Sequence, residues 1–266
     1  MASSVRLISR FDIFGGMLVA AALVTAITSE TVRPLRPRRA TRGWRWSGNA
    51  GFGALAAIVV RGAVVPSIEA CAQWTAKRNV GLLRWLRLPR PVRAVVGFLA
   101  LDYTMYLWHR ALHDVGILWR FHGVHHADVD LDASTALRFH AGELVASLPF
   151  RCAQVAVLGV SPEVARTYEL AMQTAAIFHH SNTRLPEALE RAVGWAIVTP
   201  RLHGIHHSID AEERQSNWSV LFSFWDRLHG TRRWSAEQPT IGLAPDDAPR
   251  RPSVVTPSGT FASSRP

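Results

Sequence analysis

"HGVHH" (residues 122–126) returns as "HGIHH" (residues 203–207), with Val124 exchanged for Ile205 and nothing else changed. On a helix, intervals of three and four set the first, fourth and fifth positions along one side, while the adjacent histidines splay by about 100°. Adjacent ligands that diverge suit two metal ions better than one. Two such turns, carrying His122, His125 and His126 and then His203, His206 and His207, are expected to approach a two-metal centre from opposite sides. Gly123 and Gly204 let backbones come close, but glycine weakens a helix by about 1 kcal/mol, so capped or irregular turns are expected there.

Outward from these words, "WHRALHD" places His109 and His113 four apart, on one helical face. The eight histidines so far would serve two metals with four protein ligands each. Imidazole suits iron, zinc and copper alike, so ligand type leaves the metal open. The two cysteines, Cys71 and Cys152, lie inside apolar runs and support neither a disulfide framework nor a thiolate site. Asp102, Asp114, Asp128, Glu143, Asp210 and Asp226 are the carboxylates near the histidines, expected to accept hydrogen bonds from the outward ring nitrogens. A zinc hydrolase would want a glutamate base in a motif such as HExxH, which does not occur. A zinc transporter would carry its ligands within spanning helices, whereas these follow the apolar runs. A non-catalytic or hydrolytic zinc-binding membrane protein is the competing reading.

Composition supplies the setting. Hydrophobic residues make up 48% of the 266 and charged ones 19%, and the apolar residues are bunched into runs as in a membrane protein. Phe11–Thr28 follows Arg6 and Arg10 and reads as an uncleaved anchor or a signal peptide. Asn49–Trp74 contains Arg61, Pro66 and Glu69; Pro91–Trp108 contains Asp102; Leu144–Val160 contains Pro149 and Arg151, and reads as a plain span or a bent, re-entrant hairpin. Net charge is +10. The basic stretches Arg33–Arg45 and Lys77–Arg93 flank apolar runs and contain tryptophans, which suits contact with anionic lipid and argues against nucleic acid. "GLLRWLRL" reads as a short interfacial helix.

Four stretches together, "FLALDYTMYLWHRALHDVGILWRFHGVHHADVDLDASTALRFHAGE", "FHHSN", "TPRLHGIHHS" and "NWSVLFSFWDRLHGT", resemble the fatty acid hydroxylase and sterol desaturase superfamily of membrane di-iron oxygenases. The resemblance covers roughly residues 80–232. It implies an all-α fold, an integral membrane helical bundle with a histidine-rich cytosolic di-metal domain. It further implies two iron ions, dioxygen as co-substrate, electrons from a separate redox partner, and a lipid substrate that is hydroxylated or desaturated. The ligand set it implies is His109, His113, His122, His125, His126, His180, His203, His206 and His207, with His179 the weaker choice beside His180. His140 matches a position of either structural or ligating role; Asn217, Trp225 and Asp226 would fix the third histidine box; His229 is a neutral surface change. Asp102 either points toward the site or pairs with Arg61 or Arg151, and Trp108 and Trp119 are expected to pack rather than gate. The expected organisation is residues 1–78 as a membrane region of two apolar helices and a basic loop, 79–234 as the catalytic domain, and 235–266 as a Pro-rich tail, disordered or loosely docked.

Overall fold

The computed structural model describes residues 10–244 and Asp247; Arg6 and most of the expected tail lie outside the described residues. The described chain is helical and contains no strand, only isolated bridges. In order, the helices are α1 (Arg10–Val32), α2 (Arg42–Val59), α3 (Val65–Arg78), α4 (Leu82–Trp85), α5 (Arg90–Asp114), α6 (Gly116–His126), α7 (Ala141–Leu158), α8 (Pro162–His180), α9 (Glu187–Val193), α10 (Pro200–His206), α11 (Ala211–Arg214) and α12 (Phe224–Leu228).

Three stretches are long and apolar enough to cross a membrane: Phe11–Val32, Arg42–Trp85 and Ala141–Leu158. The middle one is interrupted by a π-turn, Val60–Val64, just before Pro66, whose missing N–H and bulky ring disturb the α-ladder one turn back. At about 1.5 Å per residue this stretch is roughly twice as long as a ~30 Å hydrocarbon core is thick. Part of it must therefore stand outside the bilayer, and the buried Arg45 near its start marks one such part. Leu144–Val160 resolves into one helix, α7, that continues through Pro149; the re-entrant hairpin is not what forms.

Pro91–Trp108 also departs from expectation, because α5 is not among the candidate spans. Its buried residues, Gly97, Leu101, Asp102, Tyr106, His109, Leu112 and His113, recur at helical spacing and carry polar side chains inward. This helix lies in the middle of the protein, and its polar face serves the histidines. The main apolar core joins α3, α5, α7 and α8 through Ile68, Leu101, Val155 and Tyr168. A second, smaller core seats α1 on α8 and on the 3-10 turn Ala133–Leu137, through Ala26, Ala133 and Ile177.

Caps fix where the histidine-bearing helices begin and end. Ser161 accepts a hydrogen bond from Val164 N at the start of α8, and Thr199 accepts one from Leu202 N at the start of α10, each followed by proline at the first helical position. Where the turn after α3 crosses the end of α7, Gly81 (φ +113°) meets Gly159 (φ +70°), and a Cβ on Gly81 would lie 2.3 Å from Gly159 Cα. Only glycine allows that crossing.

The tail expected from Ser235 begins as docked chain. Ile241 is buried, Ile209 N donates to Thr240 O, and Gly242 N donates to His207 O. One buried isoleucine and these backbone bonds hold a proline-containing stretch that composition alone reads as loose.

Candidate metal centre

Nine histidines converge in the interior in two groups. His109, His113, His122, His126 and His206 offer ligand nitrogens within 4.8 Å of one another, and so do His125, His180, His203 and His207. All nine are buried. The two repeated words are dealt between the groups in opposite senses. His122 and His126, one turn apart on α6, join the group of five while His125 crosses to the group of four; His203 and His207 join the group of four while His206 crosses to the group of five. The adjacent rings stand nearly perpendicular, at 88° for His125 and His126 and 87° for His206 and His207. α5 completes one group with His109 and His113, and the end of α8 completes the other with His180.

Four of these rings have their tautomer set by main-chain carbonyls. His109 Nδ1 lies 2.8 Å from Trp218 O, His206 Nδ1 2.9 Å from Ser216 O, His125 Nδ1 3.2 Å from Arg138 O and His180 Nδ1 2.7 Å from Ala176 O. A carbonyl only accepts, so each Nδ1 carries the proton and each Nε2 exposes a lone pair. Those lone pairs face each other: His206 Nε2 is 3.0 Å from His109 Nε2, and His180 Nε2 is 2.9 Å from His125 Nε2.

Two lone pairs at that distance repel unless a cation lies between them. Protons are disfavoured here, because burial pushes His109 down to about 3 and His180 down to about 4, and lowers His125, His126, His203, His206 and His207 well below the ordinary histidine value. A metal ion fits. With metal–nitrogen bonds of about 2.1 Å, neighbouring ligands at right angles lie ~3.0 Å apart. The Nε2 pairs His122/His126 and His203/His207, at 3.2 and 3.1 Å, have the same spacing.

The acceptors differ from those expected. Of the six carboxylates only Glu143 approaches a ligand-type ring, its Oε2 lying 3.2 Å from His122 Nδ1 but out of line for a hydrogen bond. Asp102 pairs with neither Arg61 nor Arg151 and does not reach the histidines. It accepts from Tyr168 Oη, Phe222 N and Trp225 Nε1, and so ties α5 to the segment before α12. Asp226 accepts from Trp218 N and Ser219 N, which aims the Trp218 carbonyl at His109. Asn217, at φ +53°, donates to Leu202 O and accepts from Arg233 N, pinning α10. Asp128 is engaged by Arg45, and Asp210 caps α11.

His140 caps α7 by accepting from Gly142 N and stacks on Phe121. His179 is buried against His203, with ring centroids 4.1 Å apart, but belongs to neither group. His229 is exposed and stacks on Tyr103 and Tyr106, away from both. Trp119 packs on His113, and Trp108 stacks on Phe150. A polar recess of about 210 Å³ reaches His113 between Trp119, Arg214, Gln215 and Asp247.

Of the arginines in Arg33–Arg45, a stretch expected at a lipid surface, Arg36 and Arg45 are used inside the protein while Arg33, Arg38 and Arg39 stay exposed. Arg45 is buried and forks onto Asp128 and Asp132, while Asp130 accepts from the backbone N–H groups of Arg39 and Ala40. Arg36 is buried as well. The signal for this was present: three aspartates alternate in "DVDLD" two residues after the second histidine box, an acidic complement to the arginine run. By contrast Lys77, Arg78, Arg87 and Arg90 stay exposed beside exposed Trp74, Trp85 and Leu86, as an interfacial segment would.

Fold and site together define a helical protein with three described stretches long and apolar enough to cross a membrane and two buried histidine groups that could each hold a metal ion. A family profile described as fatty acid hydroxylase matches residues 94–231, and the chain belongs to that family. Among curated relatives it is 29% identical over 151 residues to an alkylglycerol monooxygenase of Xenopus tropicalis, covering 55% of this chain and 32% of the relative. It is 27% identical to the ornithine lipid hydroxylase OlsE of Rhizobium tropici (54% and 42% covered) and 29% identical to cholesterol 25-hydroxylase of Mus musculus (58% and 55% covered). The chain thus spans between about a third and somewhat more than half of these relatives' lengths. No solved structure matches it significantly.

Proposed function

We propose that this chain is an oxygen-dependent lipid hydroxylase or desaturase of the membrane, with one iron at each histidine group and electrons from a separate donor. The observation that carries the proposal is the pair of facing Nε2 lone pairs, one in each group, held in a buried setting that disfavours protons. Bound iron would supply dioxygen activation. Hydroxylation consumes dioxygen, two electrons and two protons, converting a C–H to a C–OH and releasing water; desaturation uses the same inputs, removes two hydrogens and releases two waters.

The chain's own residues prepare this chemistry. Trp218, Arg138, Ala176 and Ser216 carbonyls hold four imidazoles neutral and aimed, and burial keeps bulk water from competing for the metals. The recess at His113 is a polar path from solvent. The three lipid hydroxylases among the relatives support an apolar substrate entering from the bilayer. An apolar groove of about 380 Å³ between Trp74, Trp85 and Val157 is not part of this route, because it sits at the far end of α7, roughly 21 Å from Glu143 by helical rise. A multi-pass arrangement with the metal centre on the cytosolic side is part of the proposal. Its support is the likeness to lipid hydroxylases and not the charge pattern, because basic residues lie at both ends: Arg36 and Arg45 beside the histidine groups, and Lys77, Arg78, Arg87 and Arg90 near the far end of α7.

The test is metal analysis and Mössbauer spectroscopy on detergent-purified protein, followed by oxygen uptake and mass spectrometry with membrane lipids. About two spin-coupled irons per chain and a lipid product heavier by one oxygen, or lighter by two hydrogens, are expected. Tightly held zinc, or metal well below one per chain, would return the competing zinc-binding reading.

A further inference from the structure

The main-chain acceptors of both groups, Trp218 O and Ser216 O for the group of five and Arg138 O and Ala176 O for the group of four, fall within residues 94–231, as does Asp226 behind Trp218. The group of four is gripped in addition from before that stretch.

Glu30, at the end of α1, is fully buried and its Oε2 accepts from Asn182 N at 2.9 Å and Ala133 N at 3.0 Å. It thereby joins the turn after His180 to the turn after the second histidine box. Arg36 pairs backbone to side chain with Asn182 in both directions. Its guanidinium donates to Ser181 O, next to His180, and to Pro200 O, the first residue of the helix that carries His203. It rests directly on Gly204. Arg45 holds Asp128 and Asp132, and Asn49 donates to Asp128 and accepts from Arg138, whose carbonyl accepts from His125 Nδ1. So His180 and His203 connect to the segment through Arg36, and His125 through Asn49.

We propose that Glu30–Asn49 is a positioning clasp for the group of four, and that it decides whether the chain holds one metal or two. The proposal rests on the reading that each group takes one metal. The segment lies outside the family-matched residues, so it is a part of the centre that the histidine motifs do not announce.

The experiment compares metal per chain and spin coupling in the full-length chain and in Arg36→Ala, Arg36→Lys and Asn49→Leu, all purified as monodisperse protein. Arg36→Ala is expected to lose half the metal, leaving an isolated ion in place of a coupled pair. Arg36→Lys, which keeps the charge but not the fork, should fall between the two. Asn49→Leu, of similar volume, should reproduce the halving through His125 if Arg36→Ala does not fold. Retention of both metals in Arg36→Ala or Asn49→Leu overturns the clasp, and so does loss of both in parallel, the signature of a merely structural role. A wild-type chain that itself carries one metal or none defeats the two-metal reading before any variant is made.

Discussion

The glycines of the two repeated words provide a matched pair of perturbations. Gly123→Ala places its Cβ 3.4 Å from the nearest Trp119 atom, an ordinary contact. The variant should gain the helix preference of alanine, about 0.5–1 kcal/mol. Gly204→Ala places its Cβ 2.4 Å from Arg36 Nη1 and 2.7 Å from Gln238 Oε1. The end of an arginine usually swings away at little cost, but this one is buried and bonded to Pro200 O at 3.2 Å and Gln238 Oε1 at 2.7 Å. Losing two hydrogen bonds from a charged donor costs about 1.5–3 kcal/mol each, against a helix gain of about 1 kcal/mol, so a net loss of about 2–5 kcal/mol is expected. For a chain of this size that is a fall in Tm of roughly 4–20 °C, against a rise of a few degrees for Gly123→Ala. Thermal unfolding in detergent, with and without metal, reads both. If Gly204→Ala melts at or above wild type, or the two variants shift equally, Arg36 is not seated on the third box as described.

Acid should release the metals and loosen the metal-free fold. The folded pKa values of His109 and His180, about 3 and about 4, lie below the unfolded value near 6.5. The unfolded state therefore binds more protons below pH ~6.5, and each such histidine removes up to about 1.4 kcal/mol per pH unit until its folded pKa is reached. Unfolding of metal-free protein between pH 8 and 5 should show stability flat above about pH 7 and falling below it; a flat profile throughout would contradict the buried, neutral histidines. His125→Ala should remove the metal of the group of four while His229→Ala leaves content unchanged, by metal analysis; equal loss in both would undo the grouping. Asp102→Asn, which weakens acceptance from Tyr168, Phe222 N and Trp225, should cost about 2–4 kcal/mol by thermal melt and leave metal stoichiometry intact in the folded fraction.

Much of this centre was legible because ligand spacing is a local property. The three and four residue intervals of 122–126 and 203–207 fix which rings can share a side of a helix, whatever the helix packs against. The splay of adjacent histidines likewise foretold two groups. The supports were less legible, since a main-chain carbonyl acceptor is invisible in a sequence: nothing about the letters Trp218, Ser216, Arg138 or Ala176 marks their oxygens as partners. Charge in Arg33–Arg45 was legible only in part. An arginine run suits a lipid surface, as the exposed Arg33, Arg38 and Arg39 still could, and only the placement of Asp128, Asp130 and Asp132 opposite Arg45 turns that residue inward. The span of α5 misled for a related reason, because an apolar run with one acid reads as membrane helix until its inward face is found to carry Asp102, His109 and His113.

The repeat itself now has a mechanical reason. In each word the i and i+4 rings stay together and the i+3 ring leaves for the other group, so each helical turn supplies ligands to both groups. His125 and His206 are the exchanged members, and both are also tautomer-locked by a carbonyl, at Arg138 and Ser216. That is where locking matters most. A ring that reaches across to a neighbouring group lacks a same-group partner one turn away to hold it, and a flipped tautomer would present an N–H where a lone pair is needed. The same crossing explains why the two words differ in their glycine environments. The first word is stiffened from within by α6 and Trp119, whereas the second lies on a helix of only seven residues and is steadied from outside, by Arg36 against Gly204 and by Asn217 on Leu202. A short helix has too few internal hydrogen bonds to aim three ligands by itself. Two identical ligand words thus require unlike supports, because one is built into a scaffold helix and the other is held in place by the segments around it.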